Sequence, residues 1–129
     1  MIWYIAAGSV LGGVSRYLLG GLIQRLLDTT FPAGTLVINV TGSFLLGAFL
    51  RYGVDTPTMG PEVRALLTIG FCGGFTTFST FSYETVALLD DGEWARAALY
   101  VGASLGLSLL AVMLGFAAAR QIIALREGV

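Results

Sequence analysis

Four long apolar stretches dominate this chain, at about residues 2–24, 34–51, 62–89 and 96–120. A helix needs about 20 predominantly apolar residues to cross a bilayer, so each stretch is a candidate span. Charged residues mark the connections: Arg25 and Asp28, then Arg51 and Asp55, then Asp90, Asp91 and Glu93. Pro61 suits the first turn of the third helix, and Asp91-Gly92 is a turn signal. The runs are too long, and alternate too little, for the strands of a membrane barrel. Only 12% of the residues are charged, against roughly 25% in soluble domains. That is too little to cover a water-facing surface, and the chain is too apolar to be disordered. The expected fold is an all-α membrane protein of four transmembrane helices, one domain over residues 1–129. The first run lacks a basic lead-in and continues past any plausible cleavage point, so it reads as a helix and not a removed leader.

Composition excludes several function classes. There is no His and a single Cys, Cys72, which removes a zinc site or disulfide framework within one chain. Seven Arg stand against eight acidic residues, with no basic patch for nucleic acid. No carboxylate pair sits at helical spacing within a span, so glycosidase-type or nucleophilic catalysis has no candidate groups. Arg51, Arg64, Arg120 and Arg126 fall on the N-terminal side of the membrane, and Arg25 and Arg96 on the other. That small bias permits insertion in both orientations. No internal repeat is visible, but two copies inserted oppositely would supply the symmetry that transporters often build from inverted repeats.

Polar groups inside the apolar runs are the informative ones. Arg16 sits mid-helix in the first span. It either snorkels to an interface or faces a wet cavity and attracts anions. Thr35, Asn39 and Ser43 recur every fourth residue and make one stripe on the second helix. The Asn39 amide is either an interhelical hydrogen bond or a functional donor. Tyr100, Ser104 and Ser108 repeat that spacing on the fourth helix. They form a ladder of hydroxyls, unless each serine bonds back to the carbonyl four residues earlier.

The segment from Gly70 to Ser82, GFCGGFTTFSTFS, is a poor helix interior because Gly73-Gly74 is followed by two β-branched threonines. A break is predicted there, in a place where irregular backbone survives only inside protein or beside a cavity. Such a break exposes carbonyls that can hold a cation and N–H groups that attract an anion. The alternative is a continuous helix with Gly for packing. Phe78 and Phe81 share a face just after it. Their ring edges carry partial positive charge, so they are either packing surface or weak anion ligands. Glu84 continues that face, as an interfacial residue or as a gate or proton site.

Three motifs together resemble the CrcB/Fluc family of fluoride channels: Gly12-Gly13-x-x-Arg16-Tyr17, then Gly34-Thr35-Leu36-x-x-Asn39-x-x-Gly42-Ser43-Phe44, then Gly70 through Phe81. The resemblance covers all four spans in order. It implies an antiparallel, dual-topology homodimer, with two pores along the dimer interface and a third helix broken mid-membrane. It also implies a structural sodium ion (Na+) held by the backbone carbonyls of Gly73 and Thr76 from both copies. The fluoride pore would be lined by Asn39, Phe78, Phe81, Tyr100, Ser104 and Ser108, with Thr35, Thr77 and Glu84 as neighbours and Arg16 near a vestibule. The implied function is passive export of fluoride from the cytoplasm through the cell membrane, driven by its electrochemical gradient. A competing reading is a small dual-topology exporter coupled to protons through Glu84.

Overall fold

The computed structural model describes residues 1–128, which are helical along most of their length. Helix α1 spans Ile2–Leu27 and ends on Asp28 in the left-handed conformation, φ 44°. Helix α2 spans Ala33–Asp55. The third crossing is composite. It starts as α3, Pro61–Ala65, with Pro61 in the first turn as expected. It widens into a π-helical segment over Leu66–Cys72 and closes with the short α4, Gly73–Phe75. Thr76 and Thr77 are then extended, before α5 resumes over Phe78–Asp90. Helix α6 spans Trp94–Glu127. Four helical stretches are thus long and apolar enough to cross a membrane: Ile2–Leu27, Ala33–Asp55, Pro61–Asp90 and Trp94–Glu127.

The helices run past the apolar stretches read from sequence, because helical hydrogen bonding does not stop where hydropathy does. At 1.5 Å per residue the 34-residue α6 is about 50 Å long, more than a hydrocarbon core of about 30 Å. The break in the third crossing falls on Thr76–Thr77, just after the Gly73-Gly74 pair, which is itself helical. Gly74 has a different task. A Cβ there would stand 2.7 Å from the Ser9 carbonyl oxygen of α1. Gly74 therefore admits α1, Gly73 faces open space, and the threonines carry the interruption.

Two helix pairs organise the bundle, α2 with α6 and α1 with the third crossing. Small residues set both approaches, as lipid-embedded packing favours. Gly8, Gly12, Gly42, Gly47 and Gly115 are buried. A Cβ at Gly47 would lie 2.5 Å from the Val112 carbonyl oxygen. The connection between α1 and α2 is tied by Gln24. Its amide nitrogen donates to the Thr29 and Phe31 carbonyls at 2.6 and 2.8 Å, and its amide oxygen accepts from Gly34 N–H at 2.9 Å. The small core around Leu88, Ala97 and Tyr100 pins α5 to α6, with Phe31 and Phe81 packed against it. Much of the outer surface is apolar: Trp3 is 81% exposed, Val10 64% and Leu109 68%. Water tolerates no such surface over a whole domain, but lipid or a second membrane-embedded chain does.

Candidate functional site: two grooves that meet at a broken helix

A groove of about 280 Å³ runs between α2, the break and α6. It gathers Asn39, Thr76, Thr77, Phe78, Phe81, Ser104 and Ser108, with Leu105 and Leu109 as its apolar wall. A second cleft, about 340 Å³, lies between α1, α2 and α5 and contains Arg16, Thr35, Thr77, Thr80 and Glu84. Thr77 belongs to both. Most of the site residues expected from sequence are therefore divided between two adjoining cavities. Tyr100 lines neither. It is completely buried, with Phe31 edge-on at 5.5 Å and Phe81 at 5.2 Å between ring centroids. Phe78 stacks obliquely on Phe81 at 5.6 Å but is 75% exposed on the outer face of the chain.

The hydroxyls divide into two groups. Thr68, Thr76, Ser82 and Thr85 each return the hydroxyl to the carbonyl four residues back, at 2.8–2.9 Å. That is the ordinary fate of a hydroxyl on an apolar helix. Ser104 departs from it. It is 7% exposed, and its Oγ has no hydrogen-bond partner. The Tyr100 hydroxyl, by contrast, lies close to the Glu84 carboxyl and the Thr35 hydroxyl. A buried polar group left unsatisfied costs about 1–3 kcal/mol, so Ser104 marks a place where something else supplies the acceptor.

Asn39 reaches across to the break. Its Nδ2 donates to the Thr77 carbonyl at 3.0 Å, and its Oδ1 accepts from the Thr77 N–H at 2.8 Å. One amide hydrogen is left for the groove. The Thr77 side chain caps α5: its Oγ1 accepts from Thr80 N–H at 3.2 Å. In the second cleft the Thr35 hydroxyl donates to Glu84 Oε1 at 2.6 Å. Arg16 Nε donates to the Gly74 carbonyl at 3.2 Å, so this charge is bonded to the end of α4 while lining the cleft.

The backbone at the break can be counted carbonyl by carbonyl. Cys72 accepts from Thr76 N–H and from the Thr76 hydroxyl. Gly74 is taken by Arg16 and Thr77 by Asn39. Among the described residues, the carbonyls of Gly73, Phe75 and Thr76 accept no hydrogen bond. No group of three or more His, Cys, Asp or Glu is placed to hold a metal among those residues. The unpaired backbone carbonyls are the oxygens the break offers to a cation.

Residues 3–116 match the family described as CrcB-like protein, Camphor Resistance (CrcB). The chain belongs to this family. Similar full-length relatives carry a functional name. The fluoride-specific ion channel FluC of Geobacter sulfurreducens is 51% identical over 118 residues, spanning 92% of this chain and 95% of that protein. Proteins of the same name from Opitutus terrae and Rhizobium meliloti are 48% and 43% identical over 118 and 122 residues. The latter match covers 95% of this chain and 98% of its relative. The membership agrees with the motifs around Arg16, Asn39 and Gly70–Phe81. Two features of the site lay outside the sequence reading. One is Thr80, whose signal was the Thr77-x-x-Thr80 capping pattern. The other is Gln24, whose signal was an amide side chain just before a Thr-Thr-Phe-Pro turn.

Proposed function

We propose that this chain is a fluoride-selective passive channel of the cell membrane, and neither an enzyme nor a pump. The observation that carries the reading is the buried, unpartnered Ser104 hydroxyl beside the free amide hydrogen of Asn39, in a groove walled by Phe78 and Phe81. A bare ion pays tens of kcal/mol by Born solvation on entering low dielectric. Neutral donors in series replace part of its water shell without trapping it, as conduction requires. Ser104, Ser108, the Asn39 amide and the Phe ring edges are such donors. Tyr100 stands behind Phe81 and holds that ring. Thr35, Thr77, Arg16 and Glu84 form the approach through the second cleft. Outward flow follows from the negative membrane potential acting on an anion.

The working form is an antiparallel homodimer of single four-helix domains. Support comes from the open groove: Phe78 and Leu109 are mostly exposed in one protomer, so a second copy is needed to close the wall. The weak four-to-two bias of arginines between the two sides permits dual insertion. A sodium ion is assigned to the break. The unpaired carbonyls of Gly73 and Thr76 fit it, since hard cations take oxygen ligands and unwound membrane helices supply them. When bound, it offsets the carbonyl dipoles there.

The deciding experiment loads liposomes with fluoride or chloride and releases potassium with valinomycin. Fast fluoride efflux with chloride retained is expected. Absence of fluoride flux from a folded dimer overturns the proposal. Ser104→Ala removes one donor to an ion, about 1.5–3 kcal/mol, so efflux falls roughly 10- to 100-fold. Glu84→Gln separates the channel from a proton-coupled exporter. Its Oε1 still accepts from Thr35, so passive flux persists in the channel, whereas coupling through Glu84 requires all transport to stop.

A further inference from the structure

Thr76 and Thr77 are two residues of extended backbone inside a membrane span. The Thr76 N–H still reaches the Cys72 carbonyl, but the Thr77 N–H and the C=O groups of both residues have no helical partner, and each unsatisfied group inside a membrane is costly. For Thr77 the deficit is met by one side chain. Asn39 takes the N–H at 2.8 Å and gives to the C=O at 3.0 Å, as a neighbouring β-strand would. A carboxamide has the donor and the acceptor that this needs on adjacent atoms. Asp has acceptors only, and Ser has a single hydroxyl. The held residue is also the one shared by both cavities, and it directly follows Thr76, whose carbonyl is unpaired.

We propose that Asn39 is a positioning residue for the break, in addition to its part in the groove. By holding the Thr77 backbone in strand-like pairing it keeps the Gly73 and Thr76 carbonyls turned away from helical bonding and available to a cation. The conduction groove and the cation site then share a mechanical part, and loss of Asn39 weakens the second even with no fluoride present. This rests on the assignment of sodium to the break, and the test separates the two.

The experiment follows thermal unfolding of the purified dimer in fluoride-free detergent solution, titrated with sodium chloride against choline chloride at constant ionic strength. Wild type is expected to gain stability with a defined half-maximal sodium concentration. Asn39→Leu has similar volume and neither hydrogen bond, and it is expected to raise that concentration about tenfold, the scale of one lost charge-assisted contact. Ser104→Ala touches the groove but not the break, and it is expected to titrate like wild type. An Asn39→Leu protein with the wild-type sodium midpoint overturns the proposal, whatever its fluoride flux. If wild type itself ignores sodium, the sodium assignment fails and hydrogen exchange at the Thr77 amide decides. Slow exchange that becomes fast in Asn39→Leu supports the positioning role, and equal rates overturn it. Should Asn39→Leu fail to fold, Asn39→Gln takes its place. It keeps both groups but sets them one methylene too far away, and the same shift is expected.

Discussion

Asn39→Asp is expected to cut fluoride efflux about a thousandfold in the liposome assay, with the purified protein still eluting as wild type does. A carboxylate within about 4 Å of a permeating anion costs about 4 kcal/mol at an effective dielectric of 20, which is roughly three decades in rate. The substitution also removes the donor that Asn39 presents to the groove and to the Thr77 carbonyl. The acceptor toward the Thr77 N–H survives, so part of the support for the break remains. Efflux within tenfold of wild type would exclude Asn39 from the ion's path.

Gly115→Val is expected to abolish folding instead of slowing transport. Gly115 faces the Phe44 carbonyl oxygen and the Ala48 nitrogen of α2, and a bare methyl there already collides with the former. The obstacle is backbone, which no rotamer change relieves. α2 and α6 form the most extensive helix pair of the chain, so separating them costs about 3 kcal/mol or more, the upper end of the range usual for overpacking. The readout is the monodisperse fraction on size exclusion after membrane extraction. A normal yield of monodisperse protein would show that this approach is not a constraint.

The four crossings were legible because hydropathy and length suffice for a membrane helix. The polar stripes were legible because spacing of four survives any detail of packing. Where a stripe residue finds its partner was not. Asn39 reads from sequence as a groove donor or an interhelical bond, and its pairing with both backbone groups of Thr77 depends on the third crossing being extended at that height. Ser104 and Thr85 look alike as hydroxyls on apolar helices. Only the fold makes Thr85 return to Phe81 and leaves Ser104 unbonded. The break was placed near its true position by the Gly-Gly-Phe-Thr-Thr segment, but its cause is different. The glycines and the two threonines were read together as the weak link, whereas the glycines are helical, Gly74 admits α1, and the interruption sits on the threonines, where Thr77 caps the next helix. The π-helical segment left no mark in the sequence, since Leu66–Cys72 is apolar around most of its circumference and any helical period fits it.

That wide segment decides where the third crossing can change length. A π-helix holds more residues per turn than an α-helix. A residue deleted from Leu66–Cys72 is taken up as the wide turn tightens into regular α-helix, and the flanking turns keep their facing. A residue deleted from an α-helical stretch has no such slack, and it rotates the two flanks against each other by about 100°. Between the wide segment and the break, that rotation would swing the Gly74 and Thr77 carbonyls around the helix axis relative to Arg16 and Asn39, which now reach them. The π-helical turns therefore act as an expansion joint upstream of the break. The loop between Asp55 and Pro61 is another place where length is free to vary, because no helical phase passes through it.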